Sequence, residues 1–194
     1  MQSFKNLLRV FGNRLPFKAE ILSVFNVVLF VVFGWSVRGF LFVLPSFLLY
    51  FQLGDIIAIL FYMLGFALIE SLVLTGGLVI GSMLLPANWF KIGFSYKGFL
   101  IIFVATIGLI YYQGYYKYGF FETLIKNDYS TLRPLFIGLI VGVTILVGLL
   151  WLFNDKFRLR NYLMVFIEQF GVFAYIYIPL GVIGVLVVVV RNIL

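Results

Sequence analysis

The feature that most constrains this fold is a stretch, residues 56–85, that carries a single charged residue, Glu70. As a helix it would be about 45 Å long at about 1.5 Å per residue, more than the roughly 30 Å hydrocarbon core of a bilayer. Across the chain 64% of residues are apolar and 11% are charged. Soluble domains have about 25% charged residues. The sequence therefore predicts an integral membrane protein, because a water-soluble fold could not bury so much apolar surface.

The uncharged runs predict the positions of the transmembrane helices. We expect an all-α bundle of five spans forming a single transmembrane domain over residues 1–194, and the spans lie at about 19–37, 56–85, 98–116, 134–153 and 161–190. Residues 39–54 are also uncharged, but this run is short and contains Gly39, Pro45 and Gly54. It predicts a re-entrant or interfacial segment that joins the first two spans.

The N-terminal residues 1–18 have a different pattern. Phe4, Leu7 and Phe11 recur at helical spacing, and polar residues such as Lys5 and Arg9 occupy much of the other side. This pattern predicts an amphipathic helix that lies in the headgroup region of the membrane.

Lysine and arginine predict the orientation, because cytoplasmic loops of membrane proteins carry more of them. With the N-terminus in the cytoplasm, nine lie inside: Lys5, Arg9, Arg14, Lys18, Lys91, Lys97, Lys156, Arg158 and Arg160. Five lie outside: Arg38, Lys117, Lys126, Arg133 and Arg191. Counting residues 39–54 as a sixth span changes the split to eight and six. The rule favours a cytoplasmic N-terminus and an external C-terminus, and the general look of the chain favours a prokaryotic plasma membrane.

Composition narrows the function classes. The chain has no histidine and no cysteine. It therefore lacks the usual ligands of haem, zinc and iron–sulfur clusters, and it cannot form a Ser-His or Cys-His nucleophile pair. We predict no cofactor, no metal and no enzymatic activity. The net charge of +7 favours contact with anionic lipids at the cytoplasmic face rather than with nucleic acid.

Glu70 is the sharpest functional candidate. A charged residue such as Asp at the bilayer centre costs about 2.5–3.5 kcal/mol on the insertion scale, so Glu70 should face the bundle interior or a wet cavity. One hypothesis is a proton or cation site. The other is a structural carboxyl group that hydrogen-bonds to a neighbouring helix or to a partner subunit.

Three further polar residues are candidates for a buried polar group near the inner face: Glu168, Gln169 and Asn26. They would line a vestibule open to the cytoplasm. In the alternative interpretation Glu168 extends toward nearby basic residues as a structural ion pair.

Two small-xxx-small motifs predict close helix packing: Gly77 with Gly81, and Gly138 with Gly142. The packing partner is either another helix of this chain or another subunit. Pro179 interrupts the last span and is the predicted hinge, because proline removes a backbone hydrogen bond and kinks a helix.

Two functional hypotheses result. The first is a non-catalytic structural or accessory subunit that packs against a larger membrane complex. The second is a small transporter or channel for an ion or small solute, with Glu70 as its site, Glu168 and Asn26 as its inner vestibule and Pro179 as its hinge.

Overall fold

The computed structural model of the chain describes residues 15–84, 93–115, 137–149 and 157–193, with residues 111–115 and 157–159 described by their backbone alone. All regular secondary structure in these ranges is α-helical. The helices are α1 (Lys18–Tyr50), α2 (Leu53–Leu84), α3 (Phe94–Tyr115), α4 (Ile137–Leu149), α5 (Phe157–Gln169) and α6 (Gly171–Ile193). This confirms the all-α prediction for the described part of the chain.

Three helical segments are long and apolar enough to cross a membrane: Lys18–Tyr50, Leu53–Leu84 and Arg160–Ile193. Two shorter apolar helices, Phe94–Ile110 and Ile137–Leu149, lie where the third and fourth spans were expected. The membrane-spanning character is thereby supported, and the count of five spans stays a prediction. The predicted surface helix lies, except for its last few residues, outside the described residues, as do both ends of the span at 134–153.

The chain divides into two compact units. The first comprises Met1–Ser95 and Met164–Leu194, and the second comprises Tyr96–Leu163. In the first unit α1, α2 and α6 pack against one another. In the second, a Cβ placed at Gly142 of α4 would lie 3.7 Å from Val104 Cγ1 of α3, an ordinary van der Waals contact.

Helix α1 corrects the first predicted boundary. It runs without a break for 33 residues through Arg38, Gly39 and Pro45, so there is no separate segment from residue 39 onward. Proline within a helix costs one backbone hydrogen bond, and Arg38 and Gly39 lie at exposed positions, where they disturb no packing. The run taken for a re-entrant segment is mostly the second half of α1.

A two-residue connection, Phe51 and Gln52, joins α1 to α2. The carbonyl of Gln52 accepts hydrogen bonds from the backbone N–H groups of Asp55 (3.0 Å) and Ile56 (3.1 Å). So short a link forces the two helices to run antiparallel.

Helices α2 and α6 are also antiparallel and meet through glycines. A Cβ at Gly65 would lie 2.7 Å from the carbonyl carbon of Gly184, and a Cβ at Gly184 would lie 2.5 Å from the Gly65 nitrogen. One turn away, a Cβ at Gly181 would lie 2.7 Å from Leu68 Cβ. Only glycine permits the two backbones to come this close.

An ion pair closes the far end of the same two helices. Arg191 Nη2 lies 3.8 Å from Asp55 Oδ1, and both side chains are about half exposed (54% and 48%). Each charge also complements its helix dipole, since Asp55 is in the first turn of α2 and Arg191 in the last turn of α6. An exposed pair of this kind contributes about 0–1 kcal/mol, so glycine packing is the main contact.

Helices α1 and α6 run in the same direction and pack through aromatic rings. Phe33, fully buried, stacks on Tyr177 with ring centroids 4.9 Å apart. Phe30 meets Phe170 at 5.0 Å and Phe173 at 4.8 Å. Edge and offset ring contacts of this kind add to the packing energy of the area that they bury.

The last predicted span is interrupted at a different residue from the one expected. The break is at Phe170, where hydrogen bonds from Phe170 N to Ile167 O and from Phe173 N to Phe170 O tighten the chain between α5 and α6. Helix α6 continues through Pro179. Tyr177 and Gly181, packed on α1 and α2, hold the backbone on either side of the proline, so the missing hydrogen bond does not end the helix. A hinge role for Pro179 stays a prediction.

Candidate functional site

Glu70 lies close to the middle of the 32-residue helix α2. Its neighbours Ala67 and Ser71 are buried, whereas Glu70 itself is exposed. Leu68, the contact for Gly181 of α6, precedes it by two residues, or about 200° of helical rotation. Glu70 therefore points away from α6 and does not face the interior of the unit that α1, α2 and α6 form. Whether it faces the interior of the whole bundle stays a prediction.

Glu70 shares its side of α2 with a glycine pair. Gly77 and Gly81 follow it by seven and eleven residues, or about two and three turns, so the three lie in one stripe. A Cβ at either glycine would meet nothing within 4 Å. The flanking side chains Phe66, Val73 and Leu74 are exposed. We call this stripe, Phe66, Glu70, Val73, Leu74, Gly77 and Gly81, the Glu70 face.

The Glu70 carboxylate forms no hydrogen bond or ion pair with any residue in the described ranges. An open apolar groove does run between α1 and α2, but it is lined by other residues, among them Lys18, Phe25, Thr75 and Ile80. The buried hydroxyls of α2 are satisfied within the helix: Ser71 donates to the carbonyl of Ala67 at 2.7 Å and Thr75 to that of Ser71 at 2.8 Å. The Glu70 face thus combines one unpaired acid with apolar and glycine surface.

Helix α1 carries a second charge in a similar setting. Arg38 is exposed, and its guanidinium lies 5.3 Å from the centroid of the Trp35 ring. No carboxylate of the described residues pairs with it. Gly34, one turn before Arg38, has nothing within 4 Å of a Cβ, and Phe42, one turn after it, is 88% exposed. We call this stripe, Gly34, Arg38 and Phe42, the Arg38 face.

Contacts to α6 show that the two charges lie at nearly the same height. Phe33 is level with Tyr177, on which it stacks. Four residues further along the parallel helices α1 and α6, Val37 is level with Gly181, which contacts Leu68. Arg38 follows Val37 by one residue along α1. Glu70 follows Leu68 by two residues along α2, which runs in the opposite direction, so Glu70 lies on the other side of the Gly181 level. At about 1.5 Å per residue the two positions differ in height by about 4–5 Å.

The same alignment places both charges near the centre of the apolar layer. The uncharged stretch 169–190 lies between Glu168 and Arg191, and at about 1.5 Å per residue it is about 33 Å long, close to the thickness of a hydrocarbon core. Its midpoint is beside Pro179, the level of Glu70. By the same estimate Arg38 lies about 4 Å from that level.

The polar residues predicted near the inner face form no hydrogen bond with one another in the part of the chain that the structure describes, and a common vestibule stays a prediction. Glu168 and Gln169 are exposed at the end of α5. Asn26 is half-buried on α1 and lies against the start of α6, where a Cβ at Gly171 would be 3.4 Å from its Nδ2 atom. Its buried Oδ1 atom has no hydrogen-bond partner among the described residues, and no hydrogen bond joins it to Glu168 or Gln169.

The predicted packing glycines differ from those that make the closest contacts. A Cβ at Gly77 or Gly81 would meet no described atom within 4 Å, so these glycines make no close backbone contact, and their role toward another subunit stays a prediction. Gly138 and Gly142 lie on α4 in the second unit, where only an ordinary contact is seen at Gly142. The tight glycines are Gly65, Gly181 and Gly184, which the motif spacing missed. A Gly-xx-Gly pair two residues after Pro179 was the available signal.

The comparisons with known proteins assign no family to this chain. No protein-family model matches it, and no curated protein or solved structure is significantly similar to it.

Proposed function

We propose that this chain is a non-catalytic, multi-pass membrane protein that acts as a structural or accessory subunit, and that the Glu70 face is where it packs against the assembly. The observation that supports this is an exposed, unpaired carboxylate at the middle of an apolar helix. Facing lipid, a charged group at the bilayer centre costs about 2.5–3.5 kcal/mol on the insertion scale and more in other estimates. A partner that supplies a donor or a cation removes that cost.

The open glycines support the same surface. Gly77 and Gly81 form a groove that no described helix of this chain fills. Between helices in lipid, association depends on close backbone contact and on interhelical polar bonds, and the Glu70 face offers both. The transport hypothesis receives less support, because Glu70 lines neither the groove between α1 and α2 nor a second apolar groove along α6, which Ile183, Leu186 and Arg191 help to line.

Replacing Glu70 tests this proposal. In a mild detergent we expect the wild-type chain to migrate as a stoichiometric complex, and Glu70→Leu to weaken the association at least tenfold. Glu168→Leu is the matched control, since it removes another exposed glutamate outside the Glu70 face and should leave the complex intact. The measurement is mass photometry over a dilution series. A wild-type chain that is a stable monomer with no stoichiometric partner would contradict the proposal.

A second variant separates assembly from folding. Gly77→Val adds bulk where the chain itself has open space, so it should fold like the wild type and still lose the complex. Proton or cation flux in liposomes that disappears in Glu70→Gln would favour the transport hypothesis instead.

We further propose that α1 begins on the cytoplasmic side. With α1 continuous, Arg38 leaves the outer loops, and the outer positive residues become Lys117, Lys126, Arg133 and Arg191 against nine inside. Because the chain has no cysteine, single introduced cysteines report orientation. We expect Asn192→Cys to react with a membrane-impermeant maleimide in intact cells, and Leu15→Cys to react only after permeabilisation. The reverse pattern would invert the topology.

A further inference from the structure

We propose that the partner at the Glu70 face is a second copy of this chain, and that Arg38 of one copy pairs with Glu70 of the next. This inference rests on the proposed packing role of the Glu70 face and names its occupant. The argument uses charge, height and shape of two surfaces that belong to the same chain.

The two charges are complementary and both are exposed. Neither has a charged partner among the residues that the structure describes. Neither points toward α6, since Glu70 is about 200° from Leu68 and Arg38 is about 140° from Phe33, the residues through which their helices contact α6. Each chain therefore presents one acid and one base outward from its apolar layer.

Their heights match the requirement of a membrane oligomer. Copies that insert with the same orientation and assemble around an axis along the membrane normal bring residues of equal depth together. Arg38 and Glu70 differ by only about 4–5 Å in height, a distance that an arginine side chain can bridge. An unrelated partner would need its own base at this depth, whereas a second copy already has one.

The surfaces beside the charges also fit each other. Gly34, one turn from Arg38, is level with Glu70 and leaves open space there, so the backbone of a second α2 can approach. Gly77 and Gly81 leave similar space on α2, two and three turns C-terminal to Glu70. Arginine and carboxylate paired away from water form charge-assisted, often bidentate hydrogen bonds, the strongest polar contact available between such faces.

Charge reversal tests the pairing between two differently tagged copies of the full chain. Wild-type copies should co-purify, and Arg38→Glu alone or Glu70→Arg alone should reduce recovery of the second tag at least tenfold. The Arg38→Glu copy and the Glu70→Arg copy should instead recover each other, because every pair between them is again opposite in sign. The double variant, R38E with E70R, should restore self-association.

Recovery between the two single variants also shows that both fold, so a loss in each alone cannot be a folding defect. If reversal leaves self-association unchanged, or if neither combination restores it, this inference is overturned. If wild-type copies do not associate while a stoichiometric complex with a different protein depends on Glu70, the inference is overturned and the proposed function stands. A monomer without any partner overturns both.

Discussion

Gly184→Ala is expected to destabilise the contact between α2 and α6 by about 1–3 kcal/mol, the cost of overpacking a tight site. A Cβ at this position would overlap the carbonyl oxygen of Phe61 and lie 2.5 Å from the nitrogen of Gly65. Both obstacles are backbone atoms, so no side chain can rotate away. The helices would have to separate, and that would also pull Gly181 from Leu68.

The midpoint of unfolding in mixed micelles, measured as the fraction of SDS is raised, checks this prediction. Gly76→Ala is the matched control: Gly76 lies on α2, has nothing within 4 Å of a Cβ, and is outside the Glu70 face. Alanine is favoured over glycine in helices by up to about 1 kcal/mol. The control should therefore be neutral or slightly stabilised. An unchanged midpoint for Gly184→Ala would mean that the two backbones are not in close contact.

Phe33→Ala is expected to have an effect of similar or larger size. Phe33 is fully buried and stacks on Tyr177 at 4.9 Å, so truncation leaves a cavity between α1 and α6. In soluble proteins Phe→Ala costs about 3–5 kcal/mol, as lost transfer energy plus the cavity. Lipid tails are as apolar as a protein interior, so the transfer part is smaller here and we expect about 2–3 kcal/mol.

Tyr175→Ala on α6 is the control, because Tyr175 is 85% exposed, belongs to neither the Glu70 face nor the Arg38 face, and its loss opens no cavity in the chain. Its unfolding midpoint should stay near that of the wild type. Equal shifts for the two variants would show that α1 and α6 do not pack through Phe33. The same titration followed by tryptophan fluorescence gives a second reading, since Trp35 lies two residues from Phe33.

The sequence was most informative where composition alone decides. Apolar content and uncharged runs predicted helices long enough to cross a membrane, and three such segments are present. The end of the first span was predicted wrongly at residue 37, because the charged residue Arg38 was taken to mark the end of the span. A charged residue marks the end of a span only if its side chain has to reach water. Arg38 lies on the exposed side of α1, and the helix continues past it.

The sequence identified Glu70 as the candidate site residue, but it did not predict which side of α2 Glu70 would occupy. Glu70 stood out from its surroundings, yet the alternation of buried and exposed positions on α2 cannot be read from a helix that is apolar on every side. The tight contact at Gly65 and Gly184 could not be predicted either. It joins residues far apart in the sequence: the spacing of Gly181 and Gly184 was a local signal for close packing, but nothing local marks Gly65 among the 19 glycines as the residue that Gly184 meets.

The short link at Phe51 and Gln52 has a consequence for the order of events during synthesis. Helices α1 and α2 can pair as soon as both have left the ribosome, because their contacts are local. Helix α6 begins only at Gly171. At roughly 5–20 residues per second it follows the end of α2 by about 4–17 s. Throughout that interval the surface of α2 around Gly65 has no helix packed against it. Any other membrane helix that binds there first would compete with α6 for this surface.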